Sequence, residues 1–330
     1  MTKFGGLWRQ FDWVLAISTL LLVAIGLVVL YGITLSQDQP DWGNLNRQLI
    51  ATGLGLLVAI VIALTDYQWL RTAARPSYIA GVALALAVLI FGATIRGTTG
   101  WFRLGLASFQ PVELIKVVVI ICLAWYLSRQ PRPLNRLPVI ATSGGGVLVF
   151  FILTILQPDL GSALVLFLIW LGLFLIIGLR SYQWLLLIGT GIVVVTVAWF
   201  FLLAPYQKDR LRTFLNPAAD PLGSGYNVTQ SMIAIGSGGL TGTGLALGSQ
   251  SQLKFLPEAH TDFVFAVLAQ EFGLLGVTLV LGLFAILITR LVALSRRCRD
   301  DFALFLVLGV LVMIFIQLTM FLINNLFNGS

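Results

Sequence analysis

Glu113 and Lys116 follow Gln110-Pro111 at the start of an apolar run, a place where charge is costly. Proline suits the first turn of a helix, and the i, i+3 spacing sets both charged side chains on one face. A charge in a membrane-spanning segment costs about 2.5–3.5 kcal/mol on insertion scales, so such residues face a bundle interior and pair. A structural ion pair and one wall of a polar site both answer that demand, and the local pattern favours the ion pair. A second group is denser. Pro257, Glu258, His260, Thr261 and Asp262 crowd one approach to a later apolar run, and Glu271 follows about two and a half helical turns on. Thr261 and Asp262 are good helix N-caps, which is the simpler local reading, and Glu271 reads locally as the buried partner of an arginine or lysine. A carboxylate at a water–lipid boundary beside a polar loop also suits general-base work on a lipid-borne substrate. A third group is cationic: Lys208, Arg210 and Arg212 lie within five residues. Such a cluster either binds solvent and lipid headgroups or cradles a diphosphate, because arginine forks match phosphate oxygens and stabilise charge on a leaving group.

Other patterns carry less. The run Gly236-Ser237-Gly238-Gly239-Leu240-Thr241-Gly242-Thr243-Gly244 has neither the Gly-Lys-Ser/Thr of a P-loop nor dinucleotide-fingerprint spacing. Close packing of irregular backbone against helices is the preferred reading. Asn227-Val228-Thr229 matches a glycosylation acceptor, a short and frequent pattern. His260 is the single histidine, which excludes a His-based zinc site. Cys122 and Cys298 lie in unlike settings and suggest neither a disulfide nor a metal site. No acidic cluster has Mg²⁺ spacing. No cofactor is assigned, and a divalent cation, Mg²⁺ or Mn²⁺, is left open.

The elements that must position these residues are set by composition. Apolar residues make up 58 % of the 330 and charged residues 10 %, against about 25 % charged in soluble domains. That excludes a disordered chain, a nucleic-acid module and a disulfide-stapled secreted domain. The expected fold is an all-α, polytopic membrane helical bundle in one domain, 1–330. A span needs roughly 20 apolar residues. Nine stretches qualify: Trp13–Leu35, Leu49–Thr65, Tyr78–Thr94, Val112–Leu127, Leu137–Leu156, Leu160–Leu179, Trp184–Ala204, Phe263–Thr289 and Phe302–Asn324. The first is too long for a signal-peptide core and lacks a cleavage site, so it reads as an uncleaved anchor. With the N-terminus cytoplasmic, Lys3, Arg9, Arg71, Arg75, Arg129, Arg132, Arg136, Arg180, Arg290, Arg296, Arg297 and Arg299 all fall inside. That asymmetry over short loops sets the orientation. The net charge of +7 is therefore a topology signal, with no nucleic acid implied. Residues 205–261 form a large extracytoplasmic loop between spans seven and eight. A loop that long is usually functional, and its mixture of apolar and polar residues predicts that it is ordered and dips partly into the membrane. No internal repeat of the secondary-transporter kind is seen.

With these elements in place, several strings resemble the SEDS family (shape, elongation, division and sporulation proteins). They are Gln110-Pro111-Val112-Glu113 through Lys116, Gln157-Pro158-Asp159-Leu160-Gly161, Gly225-Tyr226-Asn227 leading to Gln230-Ser231 and Gly236-Ser237-Gly238-Gly239, and Gln250-Ser251-Gln252-Leu253-Lys254-Phe255-Leu256-Pro257-Glu258-Ala259-His260-Thr261-Asp262-Phe263. Gln250-Ser251-Gln252-Leu253 and Phe265-Ala266-Val267-Leu268-Ala269 look like its elongation branch more than its division branch. The resemblance implies a peptidoglycan glycosyltransferase of the bacterial cytoplasmic membrane. Such an enzyme polymerises lipid II with a class B penicillin-binding protein and other elongation-complex proteins, among membrane lipids. It further implies Asp262 as general base, Glu113–Lys116 as the family's membrane Glu–Lys pair and Arg210 as its loop arginine. Gly100 stands where the family usually has Arg, Val112 where it has Ser, and Gln270 where it has Glu. The family's tenth span and the loop before it have no counterpart here. Two other readings are carried as alternatives: a lipid-precursor flippase or transporter, and a shortened, non-catalytic member of the elongation complex.

Overall fold

A computed structural model describes residues 11–36, 40–95, 98–104, 107–197, 200, 208, 224–248 and 263–327. Helices dominate them: α1 (Trp13–Leu35), α2 (Gly43–Leu64), α3 (Gln68–Phe91), α4 (Pro111–Leu127), α5 (Leu137–Ile155), α6 (Leu160–Ile177), α7 (Ser181–Val197), α8 (Ser224–Ser237), α9 (Val264–Ser295) and α10 (Asp301–Phe327). Among the described residues seven helices, α1, α2, α3, α5, α6, α9 and α10, are long and apolar enough to cross a membrane. Two more of 17 residues each, α4 and α7, lie on the fourth and seventh expected spans. The protein is a multi-pass membrane protein. Its helices carry exposed Leu, Ile and Val that water would penalise, as on α2, where Leu45 is the one buried residue.

Two helices begin earlier than hydropathy alone places them. α2 starts at Gly43 and α3 at Gln68 because a helix can run on beyond its apolar stretch, its polar residues Asn44, Asn46, Arg47, Gln48, Arg71 and Arg75 lying in the headgroup region. The all-helical expectation also missed a small antiparallel sheet between α3 and α4. Strands β1 (Ala93–Ile95), β2 (Thr98–Leu104) and β3 (Ala107–Phe109) lie in the order β1-β2-β3, with Ala93 opposite Trp101 and Phe102 opposite Phe109. Strands this short carry little periodicity.

The chain divides into two compact units. The first draws on Met1–Leu57, Trp199–Arg290 and Thr319–Ser330, the second on Val58–Ala198 and Leu291–Leu318. In the first, Val29 and Ile33 of α1 pack with Ala234 of α8 and with Phe263, Phe265, Ala266, Val267 and Leu268 at the start of α9. Asp12 caps α1 by accepting from Leu15 N at 3.1 Å, and Arg290 donates to the same carboxylate at 2.9 Å. Burial pushes the Asp12 carboxyl up, but the hydrogen bonds and charge of Arg290 and the Leu15 amide together hold it below the usual value. In the second unit the core is made by α3, α4, α5 and α6, with Ile115, Ile120, Phe150, Leu166, Ile169 and Leu173 almost wholly buried. Small residues let helices approach there: a Cβ on Gly81 would stand 3.2 Å from the Phe150 ring.

Candidate active site

In the second unit, the polar groups gather where α4 and α6 begin. Gln110 stands at the N-cap of α4 in extended conformation, but its side chain makes no capping bond. It donates instead from Nε2 to Asp159 Oδ2 at 3.0 Å. The other oxygen of Asp159 accepts Ser162 N at 3.0 Å and caps α6. One carboxylate thus ties the starts of two spans. Beside it, Gln157 donates to Ala85 O of α3 and accepts Thr99 N of β2 through its carbonyl, so the sheet is anchored to the same corner. Gly100 is buried here, and a Cβ on it would stand 3.4 Å from Gln157 Oε1. One turn into α4, Lys116 Nζ donates to Glu113 Oε1 at 2.8 Å. The two ends differ in setting: the Lys116 side chain is 6 % exposed and that of Glu113 53 %. The negative charge lies in the first turn of α4, where the helix dipole favours it, and it remains accessible to a ligand.

In the first unit, the glycine-rich segment after α8 is built into a break in α9. Gly273 has φ 62° and ψ −162°, a conformation open only to glycine, and it interrupts the helical hydrogen bonds. The freed groups find partners on the loop. The carbonyls of Gln270 and Glu271 accept from Thr243 N at 2.9 Å and Gly244 N at 3.1 Å, and the amides of Leu274 and Leu275 donate to Gly239 O at 3.0 Å and Leu240 O at 3.2 Å. Irregular backbone inside a membrane protein is tolerated only when its polar groups are satisfied in this way. The approach demands glycine: a Cβ would lie 1.9 Å from Ala269 O at Gly238 and 2.1 Å from Glu271 O at Gly242. Close backbone packing, not phosphate binding, accounts for this motif.

Glu271 sits at the centre of that junction, 1 % exposed. Its Oε1 accepts Ala246 N at 3.0 Å, while Oε2 is buried without a hydrogen-bond partner and lies against Gly32 of α1. Among the described residues no arginine or lysine pairs with it as expected from sequence; the Ala246 amide is its partner. Gln270, beside it, is fully buried and backs onto Gly248. Asn325 went unnoticed in the sequence. Buried in α10, it accepts Ala266 N in the first turn of α9 at 3.4 Å, and its carbonyl accepts Ser231 Oγ of α8 at 3.1 Å. The available signal was an Asn pair, Asn324-Asn325, in an otherwise apolar helix. Lys208 is half-buried. Arg210, Arg212, Glu258, His260, Thr261 and Asp262 lie outside the described residues.

The fold and these polar corners define a polytopic membrane protein that carries buried, hydrogen-bonded charge at helix starts and at a broken span, the places where such proteins build sites. The family model of the FtsW, RodA and SpoVE cell cycle proteins matches residues 12–326. The chain belongs to that family. It is 37 % identical over 306 residues to the peptidoglycan glycosyltransferase MrdB of Escherichia coli K12, covering 90 % of this chain and 80 % of that one. A probable peptidoglycan glycosyltransferase FtsW of Coxiella burnetii is 35 % identical over 309 residues, covering 89 % and 80 %. Among solved structures, a chain of a peptidoglycan synthase complex that coordinates polymerization and crosslinking is similar at TM-score 0.82 and 34 % identity, over 97 % of this chain and 88 % of that one. The rod shape determining protein RodA of Thermus thermophilus is similar at TM-score 0.70 and 29 % identity, over 98 % and 91 %.

Proposed function

We propose that this chain is a peptidoglycan glycosyltransferase that polymerises lipid II on the outer face of the bacterial cytoplasmic membrane, in cell-wall elongation, with a class B penicillin-binding protein as crosslinking partner. The observation that carries the reading is the family match along residues 12–326, which embraces both polar corners. In the proposed reaction Asp262 takes the proton of the acceptor 4-hydroxyl as that oxygen attacks the donor's anomeric carbon. The carbon–oxygen bond to the diphosphate breaks with inversion, and undecaprenyl diphosphate leaves with the bonding pair. Arg210, Lys208 and Arg212 receive the negative charge that develops on it. In the second unit Glu113, half exposed and held by Lys116, offers a carboxylate that a ligand can reach, and Gln110 ties the start of its helix to α6 through Asp159. Glu271 acts at one remove: by gripping the Ala246 amide it positions the loop that runs on toward Glu258, His260, Thr261 and Asp262.

The test is polymerisation of labelled lipid II by the purified chain with its penicillin-binding partner. Asp262→Ala is expected to abolish glycan strands while leaving the unfolding temperature within a degree or two. Strands formed by that variant at the parental rate would reduce Asp262 to a helix cap. Translocation of lipid II across liposomes with no polymer would make the protein a transporter instead. A chelator added to the same assay reads the need for Mg²⁺ or Mn²⁺.

A further inference from the structure

The second unit holds a cavity of about 350 Å³ between α3, α4 and α5, at the lower end of the volumes that bind small ligands. Tyr78, Ile79, Cys122, Trp125, Gly146 and Phe150 are among the residues that line it. Its wall is apolar in effect because the protein has already claimed the polar atoms there. Tyr78 Oη donates to Gly146 O at 2.9 Å, Cys122 Sγ to Ala74 O at 3.2 Å and Ser143 Oγ to Val139 O, while Tyr126 and Thr142 hydrogen-bond each other. An alkyl chain entering the slot would leave none of these five groups without its partner.

The mouth is different. The guanidinium of Arg75 stands 5.0 Å from the centroid of the Trp125 ring and that of Arg129 4.8 Å from the same centroid. Two cations thus lie over one indole, each attracted by its π-system. Neighbouring arginines are neutralised: Arg71 pairs with Asp300 at 3.8 Å and Arg132 with Asp301 at 2.9 Å. Among the described residues Arg75 and Arg129 have no such carboxylate. They stand near the start of α3 and just past the end of α4, the cytoplasmic ends of both spans by the arginine distribution.

We propose that this slot binds one anionic phospholipid of the cytoplasmic leaflet, its phosphate held by Arg75 and Arg129 beside the Trp125 ring and an acyl chain in the cavity. An apolar channel whose Tyr78, Cys122, Tyr126, Thr142 and Ser143 groups are already hydrogen-bonded selects the chain, and two guanidiniums with no carboxylate among the described residues select the charge. The site is separate from the proposed polymerisation chemistry and does not depend on it.

The delipidated full-length chain in detergent, titrated with phosphatidylglycerol or phosphatidylcholine and read by native mass spectrometry, tests this. One phosphatidylglycerol is expected to bind ahead of phosphatidylcholine. Arg75→Gln with Arg129→Gln should weaken it about thirtyfold, since each basic residue near an anionic surface contributes about fivefold. Arg71→Gln with Arg132→Gln, which removes the paired arginines, should leave it unchanged. Gly146→Leu fills the slot from a backbone position where a Cβ meets nothing closer than 4.0 Å, and should lower binding of both lipids. Equal loss in the two arginine pairs would show a diffuse basic surface and overturn the site. So would unchanged binding in Arg75→Gln/Arg129→Gln, or competition by inorganic phosphate as strong as by the lipid.

Discussion

The side chain of Lys116 is buried, whereas the Glu113 carboxylate that receives its hydrogen bond is half exposed. That asymmetry separates two substitutions that look equivalent on paper. Glu113→Ala leaves a buried charge with no partner and should cost about 1.5–3 kcal/mol, the worth of a hydrogen bond to a charged group. Lys116→Met removes the buried charge itself and returns Glu113 to water, so it should cost within about 1 kcal/mol. Thermal unfolding in detergent measures both. If Glu113 is a wall of the active site, Lys116→Met should nonetheless lose polymerisation, because the carboxylate is no longer held. A stable, fully active Lys116→Met would make the pair structural, the choice that type and spacing left open.

At the scale of elements, the broken α9 and the loop seated in it act as one device. A straight helix would need no glycine at 273, and a loop kept away from helices would need none at 238 or 242. A glycine of the helix and a glycine of the loop are therefore predicted to behave oppositely. Gly282 meets nothing within 4 Å of a built Cβ, so Gly282→Ala should stabilise α9 by about 0.5–1 kcal/mol through helix propensity. Gly242 has φ +83° and would put its Cβ into the Glu271 carbonyl, so Gly242→Ala should cost more than about 2 kcal/mol. Unfolding temperatures of the two variants, measured side by side, check the contrast. The glycine motif was legible as packing rather than phosphate chemistry, because its spacing failed both phosphate templates. Its partner was not legible, since nothing in Gln270-Glu271-Phe272-Gly273 announces that a helix stops there.

For the whole molecule, the arginine asymmetry predicts that the α9–α10 connection is cytoplasmic, and Cys298 lies in it. A maleimide that cannot cross the bilayer should label Cys298 in inside-out vesicles and not in right-side-out ones. Burial and then the charge of Asp300 raise its thiol above the usual value, so less thiolate is present at neutral pH. Labelling should be slow there and quicken as pH rises, and mass spectrometry of the tryptic peptides would follow it. Labelling from the outer face would invert the topology. Sequence by itself marked the membrane class, most of the apolar helices and the family, and it predicts the orientation, because lipid demands long apolar helices and a charge bias that no soluble fold produces. It also marked Gln110, Glu113, Lys116 and Glu271, because charged and polar residues are rare and costly in such helices. Only the tertiary structure decided their partners: Asp159 for Gln110, the Ala246 amide for Glu271, Asn325 for the start of α9. It also set two arginines over one tryptophan with no carboxylate partner among the described residues. Those pairings join residues far apart in the chain, and the energy that selects them, the need to satisfy each buried polar group, leaves no local periodicity to read.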